Sequence, residues 1–217
     1  MAIAINGSGT ITGITSGGLP DNIITNAEMA DDSVGIADLS ATGTASSSTY
    51  LRGDNSWSTP SGGLIKQLKV VNKSDVWSTT STSWTDITDF SITTDALSSA
   101  SNKILVSYNI GLTGGNNDQF YLRILRGSTP IAIGDEAGNR VRLTTWAIDS
   151  SGSNPDFMSA EWLDTPGSGA HTYKVQHRHY NSGVTVTMNK MSNEYYGDHA
   201  DYTMRWVSSF RIMEIEA

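Results

Sequence analysis

Large apolar side chains are unevenly spread along this chain of 217 residues, and the break falls near residue 62. Residues 1–62 hold fifteen of them, from Met1 and Ile3 to Leu51 and Trp57, scattered among Gly, Ser, Thr and Asn. Ordering a backbone costs roughly 1–2 kcal/mol per residue. One copy of this segment folded on itself buries too little area to offset that cost. Three copies around an axis set each apolar residue against its own equivalents, so the segment is expected to be a thin, mostly irregular trimeric stalk. No heptad repeat runs through it, which argues against a long coiled coil.

Within the stalk, Ile3, Ile5, Ile11 and Ile14 lie among Gly7, Gly9 and Gly13, a pattern of short extended pieces joined at glycines. Gly17 to Asp21 reads as a turn. Thr25 and Glu28 have capping-box spacing, and Asp32 or Ser33 is placed to cap a second short turn through Leu39. From Thr42 to Pro60 the chain is rich in Ser, Thr and Gly, punctuated by Tyr50, Leu51 and Trp57. Three regions result: a stalk over 1–41, a hinge over 42–62 and a head over 63–217. Arg52-Gly53-Asp54 reads as a turn, with Gly53 permitting it and Asp54 or Asn55 closing it, in preference to a cell-adhesion triplet.

The head alternates. Ile104, Val106, Tyr108, Ile110 and Leu112 share one face of a strand over 103–113; Phe120, Leu122 and Ile124 do so over 119–126; Tyr173, Val175 and His177 do so over 172–179. Further strands are expected over 64–71, 84–94, 131–133, 141–148, 157–163, 184–188 and 202–215. Ser74 to Ser83 reads as a loop holding Trp77. No long helical period interrupts this series, so the head is all-β, and nine or ten short strands fit a sandwich or barrel. A jelly roll with Greek-key links is the favoured form.

Net charge is −8. Residues 1–62 carry Arg52 against six acids, and the remainder thirteen basic against sixteen acidic residues. Such a balance argues against nucleic acid as a partner. With no cysteine, neither a disulfide framework nor a thiolate zinc site is available. The first residues lack the basic region and apolar run of a secretory signal, and no apolar run is long enough to insert in a membrane.

Few residues point to chemistry. No Ser/His/Asp spacing and no phosphate-cradling glycine loop occurs, and Gly7-Ser8-Gly9 has neither strand nor helix beside it. Asp135, Glu136 and Glu161 are candidates for glycan hydrolysis only as acids, and read better as turn residues. No catalytic residue, enzyme activity or cofactor is expected. His177 and His179 lie two apart, on one strand face. They are either a solvated or hydrogen-bonded pair or, were that strand on a three-fold axis, a weak candidate for a metal held by six imidazoles. For binding, aromatic rings in polar loops matter, because flat rings stack on sugar faces while carboxylates accept sugar hydroxyls. Tyr195, Tyr196 and Asp198 are the leading candidates, with Trp77 and Trp146 behind them. Trp84, Trp162 and Trp206 read as core.

The run Gly43 to Trp57, Gly-Thr-Ala-Ser-Ser-Ser-Thr-Tyr-Leu-Arg-Gly-Asp-Asn-Ser-Trp, resembles a linker of bacteriophage tail-fibre proteins. Asn6-Gly-Ser-Gly-Thr-Ile-Thr-Gly-Ile and Leu19-Pro-Asp-Asn-Ile-Ile-Thr resemble their stalk repeats. The order of motifs in the head is similar to trimeric heads of the complement and tumour-necrosis-factor type. These resemblances imply a homotrimer on a virion, made in the bacterial host cytoplasm. Its stalk would dock on another virion protein, and its head would bind a host surface glycan or protein. The alternative they leave is a capsid-attached decoration fibre or tail accessory without specific receptor binding. In such heads the first and last strands run centrally, which puts the C-terminus near the stalk.

Overall fold

A computed structural model describes residues 4–5, 11–12, 35–60, 63–150, 154–191 and 203–217. The chain separates into two compact units, residues 1–61 and 62–217.

In the first unit β1 (Ala4–Ile5) pairs antiparallel with β2 (Ile11–Thr12). A single 3-10 turn covers Ile36–Asp38, and the Asp38 carboxylate accepts the Gly35 N–H at 2.8 Å. The caps expected at Thr25, Glu28, Asp32 and Ser33 lie outside the described residues. Residues 42–58 close on themselves: β3 (Tyr50–Leu51) pairs with β4 (Trp57–Ser58), and Thr42 bridges to Ser56. Asn55, at φ 59°, supplies the left-handed residue of the turn. The turn is locked by Arg52 N–H to Ser56 O at 2.8 Å and by Ser56 Oγ to Asp54 Oδ1 at 2.6 Å. Arg52-Gly53-Asp54 therefore lies in a hairpin turn, with Asp54 and Asn55 closing it as expected.

The second unit holds eleven strands among its described residues: β5 (Ile65–Lys73), β6 (Trp77–Thr79), β7 (Thr85–Thr93), β8 (Lys103–Thr113), β9 (Asp118–Arg126), β10 (Thr129–Ile131), β11 (Thr145–Asp149), β12 (Asp156–Asp164), β13 (Thr172–His179), β14 (Val186–Met188) and β15 (Ser208–Ile215). No α-helix occurs among the described residues. Two antiparallel sheets form. In the first, β7, β13 and β9 are neighbours, and β10 and β11 share the far edge of β9. In the second, β12 lies on one edge of β8. β14 and β15 lie end to end on its other edge, with β6 and β5 beyond them.

The buried faces meet as a sandwich-like arrangement. Ile104, Val106, Ile110 and Leu112 of β8 face Phe120, Leu122 and Ile124 of β9 and Tyr173 and Val175 of β13 across one core. Two polar ties cross between the sheets. Arg126 donates to both oxygens of Asp164, at 2.9 and 2.8 Å, and the Tyr173 hydroxyl donates to Asp164 at 2.7 Å. Tyr108 Oη meets Thr145 Oγ1 at 2.6 Å. Burial, and for Tyr173 the neighbouring carboxylate as well, raises both phenol pKa values.

Strict alternation fails on β7. It puts Ile87 and Phe90 on opposite faces, yet both are buried. The register against β13 slips between Lys174 and Gln176, and Asp89 sits at φ 56°. A bulge here inserts extra backbone and turns both apolar side chains inward. Other boundaries shift too: Trp77–Thr79 is strand within the expected loop, the strand expected over 141–148 is confined to 145–149, and the last begins at Ser208.

The outer face of the second sheet carries ordered rows. Leu68, Met213, Leu105 and Leu163 lie in one row across β5, β15, β8 and β12, with Ile65 beside Ile215 next to it. Leu68 is 55% exposed and Leu163 46% exposed. The chain enters beside this belt and ends there, because Glu216 N–H donates to Leu64 O at 2.8 Å.

Candidate functional site

Residues with binding chemistry separate by location. Tyr195, Tyr196 and Asp198 lie outside the described residues, as does His199. Trp77 does not offer its ring to solvent. It is 8% exposed and packs edge-on against His177, with centroids 5.6 Å apart, so it belongs to the core. Trp162, read from the sequence as core, is instead exposed at the sheet edge.

His177 and His179 are neither solvated nor hydrogen-bonded. Both are fully buried and stack at 5.6 Å, and their four ring nitrogens meet no hydrogen-bond partner among the described residues. Their face of β13 is the one that points between the sheets, so these imidazoles cannot meet those of other copies on an axis. Burial, with His179 alongside, pushes the His177 pKa down to about 3. Among the described residues no three His, Asp or Glu side chains gather as a metal-binding group. Asp135, Glu136 and Glu161 are exposed.

Trp146 is placed differently. On β11 it alternates with Ala147, which packs on the core, so its ring stands on the outer face of the first sheet, 59% exposed. Strand register puts Tyr121 directly opposite it on β9, and Arg178 opposite Tyr121 on β13. One row along, Ile148 pairs with Gln119, and the Tyr180 N–H donates to Gln119 O at 3.1 Å. Tyr180 is 64% exposed. The polar groups on this face are fixed. Tyr121 Oη donates to Gln119 Oε1 at 2.7 Å, and Arg178 Nε donates to Thr82 O at 2.9 Å. Arg123 donates twice to Gln176 Oε1 and lies 4.2 Å from the centroid of the Trp84 ring.

Sequence reading selected Trp146 from this face and missed Tyr121, Tyr180 and Arg178. Tyr180 follows the last residue of β13, and only the pairing of β13 with β9 and of β9 with β11 brings it near Trp146. Alternation did carry a signal, since Tyr121 is out of phase with buried Phe120 and Leu122, and Arg178 is out of phase with His177 and His179.

Compared with known proteins, the sequence matches no family model and no curated protein.

Proposed function

We propose that the chain is a structural fibre protein of a bacteriophage virion, a homotrimer whose head binds the host surface. The stalk would dock on another virion protein. The linker and stalk motifs described above support the fibre reading. Strand order supports a jelly-roll head. Taking β5/β6, β7, β8, β9, β10/β11, β12, β13 and β14/β15 as eight successive strands, one sheet holds the first, eighth, third and sixth, and the other the second, seventh, fourth and fifth. Such an order suits two interleaved Greek keys.

The observation that carries the trimer is the aliphatic belt. A row of Leu68, Met213, Leu105 and Leu163 on the outer face of a sheet is a patch that water does not favour, and such patches mark association surfaces. It lies where the first strand starts and the last ends, so copies joined there bring their entering chains together. Sedimentation of the purified full-length protein at micromolar concentration tests this: a three-chain species is expected, and Leu68→Asp with Leu163→Asp is expected to yield folded single chains. A wild type that sediments as a single chain overturns the reading. Antibody against the head, applied to intact virions, reports location. Competition of phage adsorption by free protein reports the receptor role.

A further inference from the structure

We propose that the exposed face of the first sheet binds an acidic sugar chain, with rings stacking on Trp146 and Tyr180 and an anionic substituent pairing with Arg178. This rests on the adhesive reading of the head and gives it a ligand class and a site.

Three features carry it. Trp146 and Tyr180 are large and exposed on one sheet face, on strands separated by β9 and one row apart. Strand spacing and rise put their Cα atoms on the order of 12 Å apart. That distance suits contact with successive residues of one oligosaccharide. Between the rings stand hydrogen-bonding groups already locked by Gln119 and Thr82, so little ordering is left for binding. Third, the charge on this face is incomplete. The Arg178 guanidinium belongs to no ion pair among the described residues, while the Asp86 carboxylate is engaged by Lys174 and Gln176 and lies within electrostatic reach of Arg123.

A ligand for this surface needs flat apolar faces, hydroxyl edges and negative charge. A purely apolar protein segment would cover the Arg178 guanidinium without compensation, which is costly. A long polyanion such as nucleic acid meets the chain's net charge of −8. The aliphatic belt on the opposite sheet, not this face, is suited to a second copy.

The test uses the full-length protein and defined probes: hexamers of galacturonate and of sialic acid, and neutral cellohexaose and maltohexaose. Binding is followed by titration calorimetry. At least one acidic probe is expected to bind roughly tenfold or more above the neutral ones, with Trp146→Ala and Tyr180→Ala each weakening it roughly tenfold. Arg178→Gln is expected to abolish the acidic preference while leaving weak binding. Melting temperature and sedimentation of the variants should match the wild type, since these side chains lie outside the core.

No acidic probe bound above the neutral ones overturns the proposal. So does acidic binding that persists in the Trp146→Ala/Tyr180→Ala double variant. A protein that competes for adsorption yet binds no acidic probe removes this site and keeps the adhesive reading. One that binds an acidic probe through these residues but does not compete removes the adhesive reading and keeps the site.

Discussion

His177 is a titratable ring in a position built for a hydrocarbon. It lies against Trp77, Phe120 and His179 with no acceptor for its proton. The unfolded chain takes up a proton at this residue below about pH 6.5. The folded chain, with the pKa held at about 3, does not. Stability should therefore fall with acidification, by about 1.4 kcal/mol per pH unit from near 6.5 toward 3 on account of this residue, and be indifferent to it above that range. Urea midpoints of the wild type and of His177→Phe should diverge progressively between pH 7 and pH 4.5, with the variant less acid-sensitive. Parallel curves would show that the imidazole finds a proton acceptor. Asp89 makes a second test at this scale. Its φ of 56° is a left-handed backbone that β-branched residues resist. Asp89→Val should cost about 1–2 kcal/mol by urea denaturation and Asp89→Gly much less.

Among the elements, β12 is tied to its opposite sheet by one buried carboxylate. Asp164 accepts two bonds from Arg126 and one from Tyr173. Asp164→Ala leaves the guanidinium and the phenol facing an apolar void, and should cost about 3–5 kcal/mol in denaturant unfolding. Asp86→Ala removes the more exposed contact to Lys174 and should cost about 1 kcal/mol or less. Neither partner of Asp164 was legible beforehand, because Arg126 is distant in sequence and Tyr173, though nine residues on, lies in the opposite sheet, so the three meet only through the topology. The strands themselves were largely legible. On β9 and β13 the two-residue period coincides with burial nearly throughout, because one face of each lies in the core, whereas on β8 Ser107, Gly111 and Thr113 are buried out of phase as well. Legibility failed where another force sets the pattern: at β7, where the bulge resets the phase, and at β11, where 141–144 are outside the ladder. On β5 the apolar face, Leu68 with Val70, is the outer one, which alternation alone does not tell from a core face. Of the candidate binding residues, Trp146 was found from its ring alone, while its neighbours needed the strand pairings.

At the scale of the whole molecule, apolar residues serve two ends: among the described residues, twenty buried ones form one core in the second unit, and a second set stays on its surface in rows. Sequence periodicity does not separate these uses, since a strand with one face in the core and one against a partner reads as a run of hydrophobics. The row of β14 and β15 has a further consequence. Met188 is fixed between Leu112 and Trp77, and Ser209 between Asn109 and Asn72, so the polypeptide leaves the sheet and rejoins it in the same lane. Asn189, just past the exit, donates to Lys73 O and Asp75 O and accepts from Ser208, which holds both ends of the gap together. Asn189→Ala should therefore loosen both ends of the gap together, at a cost of about 1–3 kcal/mol by urea denaturation. The seam is closed by its own flanks, with one buried amide acting as a clasp across the segment between them.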